Sequence, residues 1–234
     1  SEPTVLCDSA HNEAGLRMAF ERILTMPFRR LHIVTGFVND KDATKVLGYF
    51  PEKARYYFAK ANILWGLEAT LLREKAAGFG HQKVLIVSDK ILNNLGVLRP
   101  LEAKLQELGV KVAMFDGVLP DPTFSIAEAC LQHYHVENCD SVLAVGGGSS
   151  IDVAKVIAIA ATNKKTPQQL VGILKSRKPS SPLYAIPTTA GTGSEVTVGA
   201  VISDDKTHQK GLVLDPKVVP RMVALDSGIM SGMP

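Results

Sequence analysis

An apolar run, Ser141 to Val145, empties into Gly146-Gly147-Gly148, and an apolar helical periodicity, Ile151 to Ala161, begins at once. Strand, glycine turn and helix in direct succession leave the chain little freedom here, because the turn has to reverse direction over three residues. Glycine admits positive φ and lets bare N–H groups approach a ligand, while a helix N-terminus adds unpaired amides and about half a positive charge. The expected occupant is an anion, above all a dinucleotide pyrophosphate. A structural reading stands beside it: glycines can serve turn geometry alone, and Ser149-x-x-Asp152 has the form of a capping box. A cap and a phosphate site use the same helix end, so the two roles can coexist.

From Lys83 onward the pattern alternates. Val84 to Val87 reads as strand, Leu95 to Leu108 as helix, Val110 to Phe115 as strand, Ser125 to Tyr134 as helix, Ser141 to Val145 as strand and Ser150 to Ala161 as helix. Strands that are continuous apolar runs are buried on both faces, so the expected fold is α/β, a Rossmann-like, mostly parallel sheet flanked by helices. Gly109 fits the residue just past a helix end, and Pro120-Asp121-Pro122 punctuates the loop after the second strand. In such sheets the ligand crevice lies outside the carboxyl ends of the strands, where Asp89, Asp121 and the Gly146 to Ser149 turn fall. Leu183 to Ile186 reads as a further strand running into Pro187-Thr188-Thr189-Ala190-Gly191-Thr192-Gly193-Ser194-Glu195, whose small hydroxylated side chains can approach a cofactor closely. Thr197 to Ser203 and Gly211 to Leu214, separated by Asp204-Asp205-Lys206, form the pattern of a small β-hairpin.

Composition narrows the function classes. A net charge of +3 over 234 residues, with basic residues dispersed, gives no support to nucleic-acid binding. The densest basic cluster, Lys164, Lys165, Lys175, Arg177 and Lys178, sits among turn formers and reads as a solvated face. No apolar stretch reaches the roughly 18 residues of a membrane span, and Ser1-Glu2-Pro3-Thr4 shows no secretory signal, so a cytoplasmic protein without membrane partners is expected. Cys7, Cys130 and Cys139 are odd in number and lack a Cys-x-x-Cys pair, which points to buried free thiols.

Taken together, Val87-Ser88-Asp89-Lys90, Asp116-Gly117-Val118 with Pro120-Asp121-Pro122-Thr123, the GGGSSIDVAK run from Gly146 and PTTAGTGSEVT from Pro187 resemble the iron-containing alcohol dehydrogenases. The likeness runs from about Trp65 to Pro234, and Ala224-Leu225-Asp226 with Ser231-Gly232-Met233-Pro234 also fits. It implies that Gly147, Gly148 and Ser149 hold the pyrophosphate of NAD, with Asp152 supporting that loop. It also implies that Asp89 reads the adenosine ribose, where a carboxylate accepts from a 2′-hydroxyl and repels a 2′-phosphate, favouring NAD over NADP. Thr188, Thr189 and Thr192 match residues on the nicotinamide side, and Lys210 matches a basic residue that reaches the cofactor ribose. Asp121 stands where many relatives carry Asn; its structural alternative is a turn residue between two prolines. The substrate class implied for the complete enzyme is a small alcohol or aldehyde.

Two departures accompany the likeness. In the family an Asp, a His four residues later and two more histidines hold a divalent iron in an all-helical domain, and no histidine of this chain (His11, His32, His81, His133, His135, His208) matches that motif. The metal-binding domain is therefore expected to be absent from residues 64–234, and cofactor recognition without turnover is the expectation. His133 and His135, two apart, fall on different sides of a helix and are read as surface residues. The second departure is the start: Asp8-Ser9-Ala10-His11-Asn12, an amphipathic helix and Leu31 to Gly36 resemble the C-terminal domain of the Mur ligases, nearest folylpolyglutamate synthase/dihydrofolate synthase. That implies a partial ligase segment over 1–63 and an alternative function, ATP-dependent amide ligation with Asp8 and His11 facing the nucleotide. Because the phosphate loop of that family is missing, Asp8 and His11 are read as vestigial. A natural fusion, an engineered chimera and a mis-assembled reading frame all fit the join. Only Leu64-Trp65-Gly66 remains of the dehydrogenase's opening segment, and Ile33-Val34 or Tyr56 to Phe58 can take the place of its first strand. Apolar surface near Ile229, Met230 and Met233 favours association, so a homodimer or an aggregate is expected rather than a monomer.

Overall fold

The computed structural model describes residues 13–27, 31–35, 54–59, 82–189 and 191–225. Among these, one sheet contains β1 (Leu31–Thr35), β2 (Ala54–Ala59), β3 (Lys83–Val87), β4 (Lys111–Phe115), β5 (Ser141–Gly146), β7 (Leu183–Pro187) and β10 (Met222–Leu225). Its spatial order is β1-β2-β10-β7-β5-β3-β4, and every described pairing in it is parallel. The short strands β6 (Gly172–Ile173), β8 (Gly199–Ser203) and β9 (Lys210–Leu214) make a second sheet, in which β8 and β9 are antiparallel. The expected hairpin is thus present, extended by β6. Helices α1 (Glu13–Leu24), α2 (Lys90–Asn94), α3 (Leu98–Glu107), α4 (Phe124–Val136) and α5 (Gly148–Asn163) flank the strands.

Alternation along each strand builds two cores, one on each face. Leu85, Val87, Val142, Ala144, Ala185 and Val223 join α5, α4 and the hairpin. Val84, Ile86, Leu143, Val145, Tyr184, Ile186 and Met222 face Leu98, Leu101 and Leu105 of α3 and Phe20 of α1. Leu98, Leu101 and Leu105 recur at helical spacing and are fully buried, so truncating Leu101 to Ala removes about 2–5 kcal/mol. Burial on both faces explains why β5, buried at all six positions, reads as one apolar run rather than an alternating one.

Leu95 to Leu108 does not form one helix. The apolar period continues across Gly96, but Gly96 takes φ +76° and ends α2 before α3 begins at Leu98. Gly109, at φ +79°, lies just past α3, where Val110 N–H returns to Leu105 O (2.9 Å) and Gly109 N–H to Gln106 O (2.9 Å), the six-to-one and five-to-two bonds of a left-handed helix stop. Tyr56 to Phe58 pairs with Met222 to Ala224 in β2 and β10, and Ile33-Val34 lies one strand further out. Asp8, His11, Leu64 to Gly66, Ile229, Met230 and Met233 lie outside the described residues.

Candidate functional site

Since the large sheet is parallel, β3, β4, β5 and β7 deliver their carboxyl ends to one edge. The chain passes from β3 outward to β4 and then returns to place β5 on the other side of β3. Strand order reverses there, and a crevice opens between the β3 and β5 ends. Asp89 follows β3, Asp121 follows β4, the glycine turn follows β5 and Thr188 follows β7. Ser88 closes the base: its Oγ donates to Val145 O (2.8 Å), its N–H donates to Phe115 O (2.9 Å) and its own carbonyl accepts from Val118 N (3.2 Å).

The glycine turn and the Thr/Gly segment meet. Thr188 N–H donates to Gly146 O at 3.0 Å, fastening the two strand ends together. A Cβ on Gly147 would stand 3.0 Å from Thr189 Oγ1, and one on Gly148 would stand 3.1 Å from Ser194 Oγ and 3.3 Å from Thr192 Cβ. Glycine is required here by close approach, and the cradle holds Thr189, Thr192 and Ser194 against the start of α5. Gly147 is the N-cap of that helix and no side chain caps it. Ile151 N–H is bonded to Gly147 O (3.2 Å), so the amides of Gly148, Ser149 and Ser150 precede the first intrahelical bond.

The capping box expected from Ser149 and Asp152 is not formed. Both residues lie inside α5, two residues too far along to be its N-cap and N3, and Asp152 Oδ2 accepts instead from Val201 N–H of the hairpin at 3.0 Å. Burial raises the Asp152 carboxyl above its usual range, with the Val201 amide, Lys155 and the Ser194 hydroxyl pulling the other way. Lys155, next turn of the same helix, is fully buried and donates to Thr197 O (2.9 Å), Thr197 Oγ1 (3.1 Å) and Gly199 O (2.8 Å).

On the other side of the crevice, Asp89 caps α2, with Oδ1 accepting from Leu92 N–H at 2.9 Å. Asp121 takes φ +53° between its two prolines, a conformation that Asp and Asn tolerate better than most residues. Its Oδ1 accepts from Ser203 Oγ (2.7 Å) and lies 3.9 Å from Lys210 Nζ. The structure therefore gathers Gly147, Gly148, Ser149, Thr188, Thr189 and Thr192 at one helix start, and joins Asp121 to Lys210. Asp152 points to the hairpin. Sequence reasoning passed over Ser88, Lys155 and Ser194. Lys155 carried a signal, being the one charged residue in the apolar run Val153 to Ala161.

The sequence profile described as iron-containing alcohol dehydrogenase matches residues 62–227. The chain belongs to the iron-containing alcohol dehydrogenase family. It is 39% identical over 157 residues to lactaldehyde reductase of Escherichia coli (strain K12), covering 66% of this chain and 41% of that protein. Among solved structures it is similar to 1,3-propanediol oxidoreductase (TM-score 0.67, 35% identity), over 72% of this chain and 44% of that one. It is also similar to sulfoacetaldehyde reductase from Bifidobacterium kashiwanohense in complex with NAD+ (TM-score 0.66, 25% identity), over 76% of this chain and 45% of that one. The chain thus spans less than half the length of these family members. The likeness to folylpolyglutamate synthase over residues 1–63 is not shown by these similarities.

The family is iron-containing, yet the described residues bring together no group of three or more His, Cys, Asp or Glu able to hold a metal ion. His133 and His135 of α4 diverge, His133 tilting toward Phe115 (ring centroids 6.3 Å) and His135 meeting Tyr134 edge-on (5.6 Å). Among the described residues no helix is long and apolar enough to cross a membrane.

Proposed function

We propose that this chain is the NAD-binding part of an alcohol or aldehyde oxidoreductase. The observation that carries it is the convergence of Thr189, Thr192 and Ser194 on Gly147 and Gly148 at the amide-bearing start of α5. A pyrophosphate seated there would receive the free amides of the first turn and its partial positive charge. Asp89, with Oδ1 committed to Leu92 N–H, keeps Oδ2 for a ribose hydroxyl, and its charge disfavours a 2′-phosphate. The bound dinucleotide supplies hydride transfer to or from the carbon bearing the substrate oxygen. The chain's own residues bind and orient it: the glycine turn holds the phosphates, Thr188, Thr189 and Thr192 border the nicotinamide side, and Lys210 reaches toward a ribose.

None of the chain's histidines matches the metal motif that the family resemblance implies, and the chain alone is proposed to bind NAD without oxidising an alcohol at an enzymatic rate. Homodimerisation is part of the same proposal, and light scattering behind size-exclusion chromatography tests it. The deciding experiment is calorimetric titration of NAD, NADP and ATP into the chain and into Gly148→Val. Saturable NAD binding, weaker NADP binding and loss of both in Gly148→Val are expected. Equal NAD binding by a folded Gly148→Val sinks the reading, and ATP binding that depends on Asp8 and His11 replaces it with the ligase alternative.

A further inference from the structure

Lys155 lies away from the proposed cofactor contacts, yet the fold surrounds it completely. An ammonium has three N–H donors, and three oxygens receive them, Thr197 O, Thr197 Oγ1 and Gly199 O. Withdrawing a lysine from water is costly, and an apolar side chain of similar length would fill the same space, so packing does not account for the charge. What the charge holds is the return of the Thr/Gly segment. Thr197 N–H donates to Gly193 O at 3.1 Å, and Val196 N–H to the same oxygen at 3.0 Å. Gly193, at φ +64°, sits between Thr192 and Ser194, the two residues that crowd Gly148. A continuous path of hydrogen bonds and backbone thus runs from the ammonium to Thr192 and Ser194, which pack against the glycine turn. The charged groups facing Lys155 are Asp152 on its own helix and Glu195 on the segment. Asp152 Oδ1 and Glu195 Oε2 are buried without a hydrogen-bond partner among the described residues, and the charges of both carboxylates favour the protonated amine.

We propose that Lys155 is a positioning residue for the dinucleotide: its ammonium, acting through Thr197 and Gly193, sets the separation between Thr192-Gly193-Ser194 and the Gly147-Gly148 turn. The proposal rests on the NAD-binding reading above. Lys155 touches no cofactor and acts through the loop alone. Burial pushes its amine down to about 8 while Asp152 and Glu195 raise it. A neutral amine keeps only two donors for three acceptors, so the loop loses a tether as the pH climbs through that value.

The test is calorimetric titration of NAD into the wild-type chain, Lys155→Met and Lys155→Arg at about pH 7 and about pH 9.5, either side of the Lys155 transition. In parallel, the 13C-labelled threonine methyls of Thr192 and Thr197 are followed across this range without ligand. Wild-type affinity is expected to fall about tenfold over the range, the size of one charge-assisted hydrogen bond. Lys155→Met should be weak at both values with a flat profile, and Lys155→Arg should recover part of the affinity at both, since a guanidinium does not titrate there. The Thr192 and Thr197 methyls should shift together, with a midpoint at about 8, the value to which burial pushes Lys155. A folded Lys155→Met with wild-type affinity and pH profile overturns the proposal, and so does a Thr192 methyl that stays still while Thr197 titrates. If the variants do not fold, the wild-type affinity profile and methyl titration decide it. If the wild-type chain binds no NAD at either pH, the NAD-binding reading is what fails, and the methyls still decide the coupling.

Discussion

Lys210 Nζ stands 3.9 Å from Asp121 Oδ1, the oxygen that also accepts from Ser203 Oγ at 2.7 Å. Asp121 follows β4 and Lys210 opens β9, so the pair bridges the sheet edge and the hairpin across the mouth of the crevice. The anion is anchored and the cation is tethered to it. On the NAD-binding reading proposed above, a lysine held this way would meet a cofactor ribose or phosphate with part of its charge already answered.

Asp121→Asn should therefore strengthen NAD binding. Asn tolerates φ +53° and can still accept from Ser203, so the backbone and the hydroxyl contact survive while the negative charge is lost. Both partners are largely exposed, and the gain is expected to be about two- to fivefold at low salt, disappearing as salt screens it. Calorimetry at two ionic strengths measures this. Weaker binding by Asp121→Asn would mean that the carboxylate itself contacts the cofactor.

Gly146→Ala and Gly109→Ala should separate close approach from backbone conformation. A Cβ on Gly146 would fall 2.5 Å from Ser150 Oγ and 2.8 Å from Ser150 Cβ at φ +153°, whereas Gly109, at φ +79°, has open space around it. Gly109→Ala is expected to cost about 1 kcal/mol, the left-handed penalty alone. Gly146→Ala adds a collision inside the first turn of α5 and is expected to cost about 3 kcal/mol or more. Urea unfolding of both variants decides it, and equal losses would show that Ser150 yields without resistance.

The parallel strands, the glycine turn and the stop at Gly109 were legible because each depends on local chemistry: continuous apolar runs, missing Cβ atoms, a residue at ease with positive φ. The break at Gly96 was not, since the apolar period of Ile91, Leu95, Leu98 and Leu101 runs through it and only the backbone angle reveals the stop. The pairing partners of Lys155 and Lys210 were hidden for another reason. Thr197 and Gly199 lie far along the chain from Lys155, and Asp121 lies further still from Lys210, so only the return of the hairpin onto α5 and the β4 end brings them together. Asp152 shows the same limit: a capping-box spacing is visible in sequence, but where the helix starts is set by Gly147.

Asp215 should contribute stability that acid removes. Its side chain is buried; Ser176 Oγ donates to it at 2.5 Å, and Lys217 N–H and Lys217 Nζ donate at 3.0 Å and 3.3 Å. Burial alone would raise this carboxyl, but those hydrogen bonds and the lysine charge outweigh it and hold it below the ordinary 3.8. A carboxyl lowered in the folded state stabilises fully above the unfolded value and loses that contribution as the pH falls through the folded one. Asp215→Asn is therefore expected to cost about 1–3 kcal/mol at neutral pH, with the difference from wild type shrinking below pH 3.8. Parallel denaturant titrations across that range check it, and a difference that stays constant into acid would remove the carboxylate from the account.

Cys130 and Cys139 should be inert in the folded chain. Burial pushes the Cys130 thiol far up, with Cys139 adding to it, and burial raises Cys139 to about 11 despite the opposing charge of Lys83. The thiolate is the reactive form, so at about pH 8 its share at Cys139 is on the order of one part in a thousand. A disulfide reagent applied at that pH, followed by peptide mapping, is expected to leave both residues unmodified in the native chain and to label both after denaturation. Labelling of either at the rate of a free thiol, under conditions where the NAD affinity persists, would show that the core formed by α4 and β5 opens far more readily than the burial of these thiols implies.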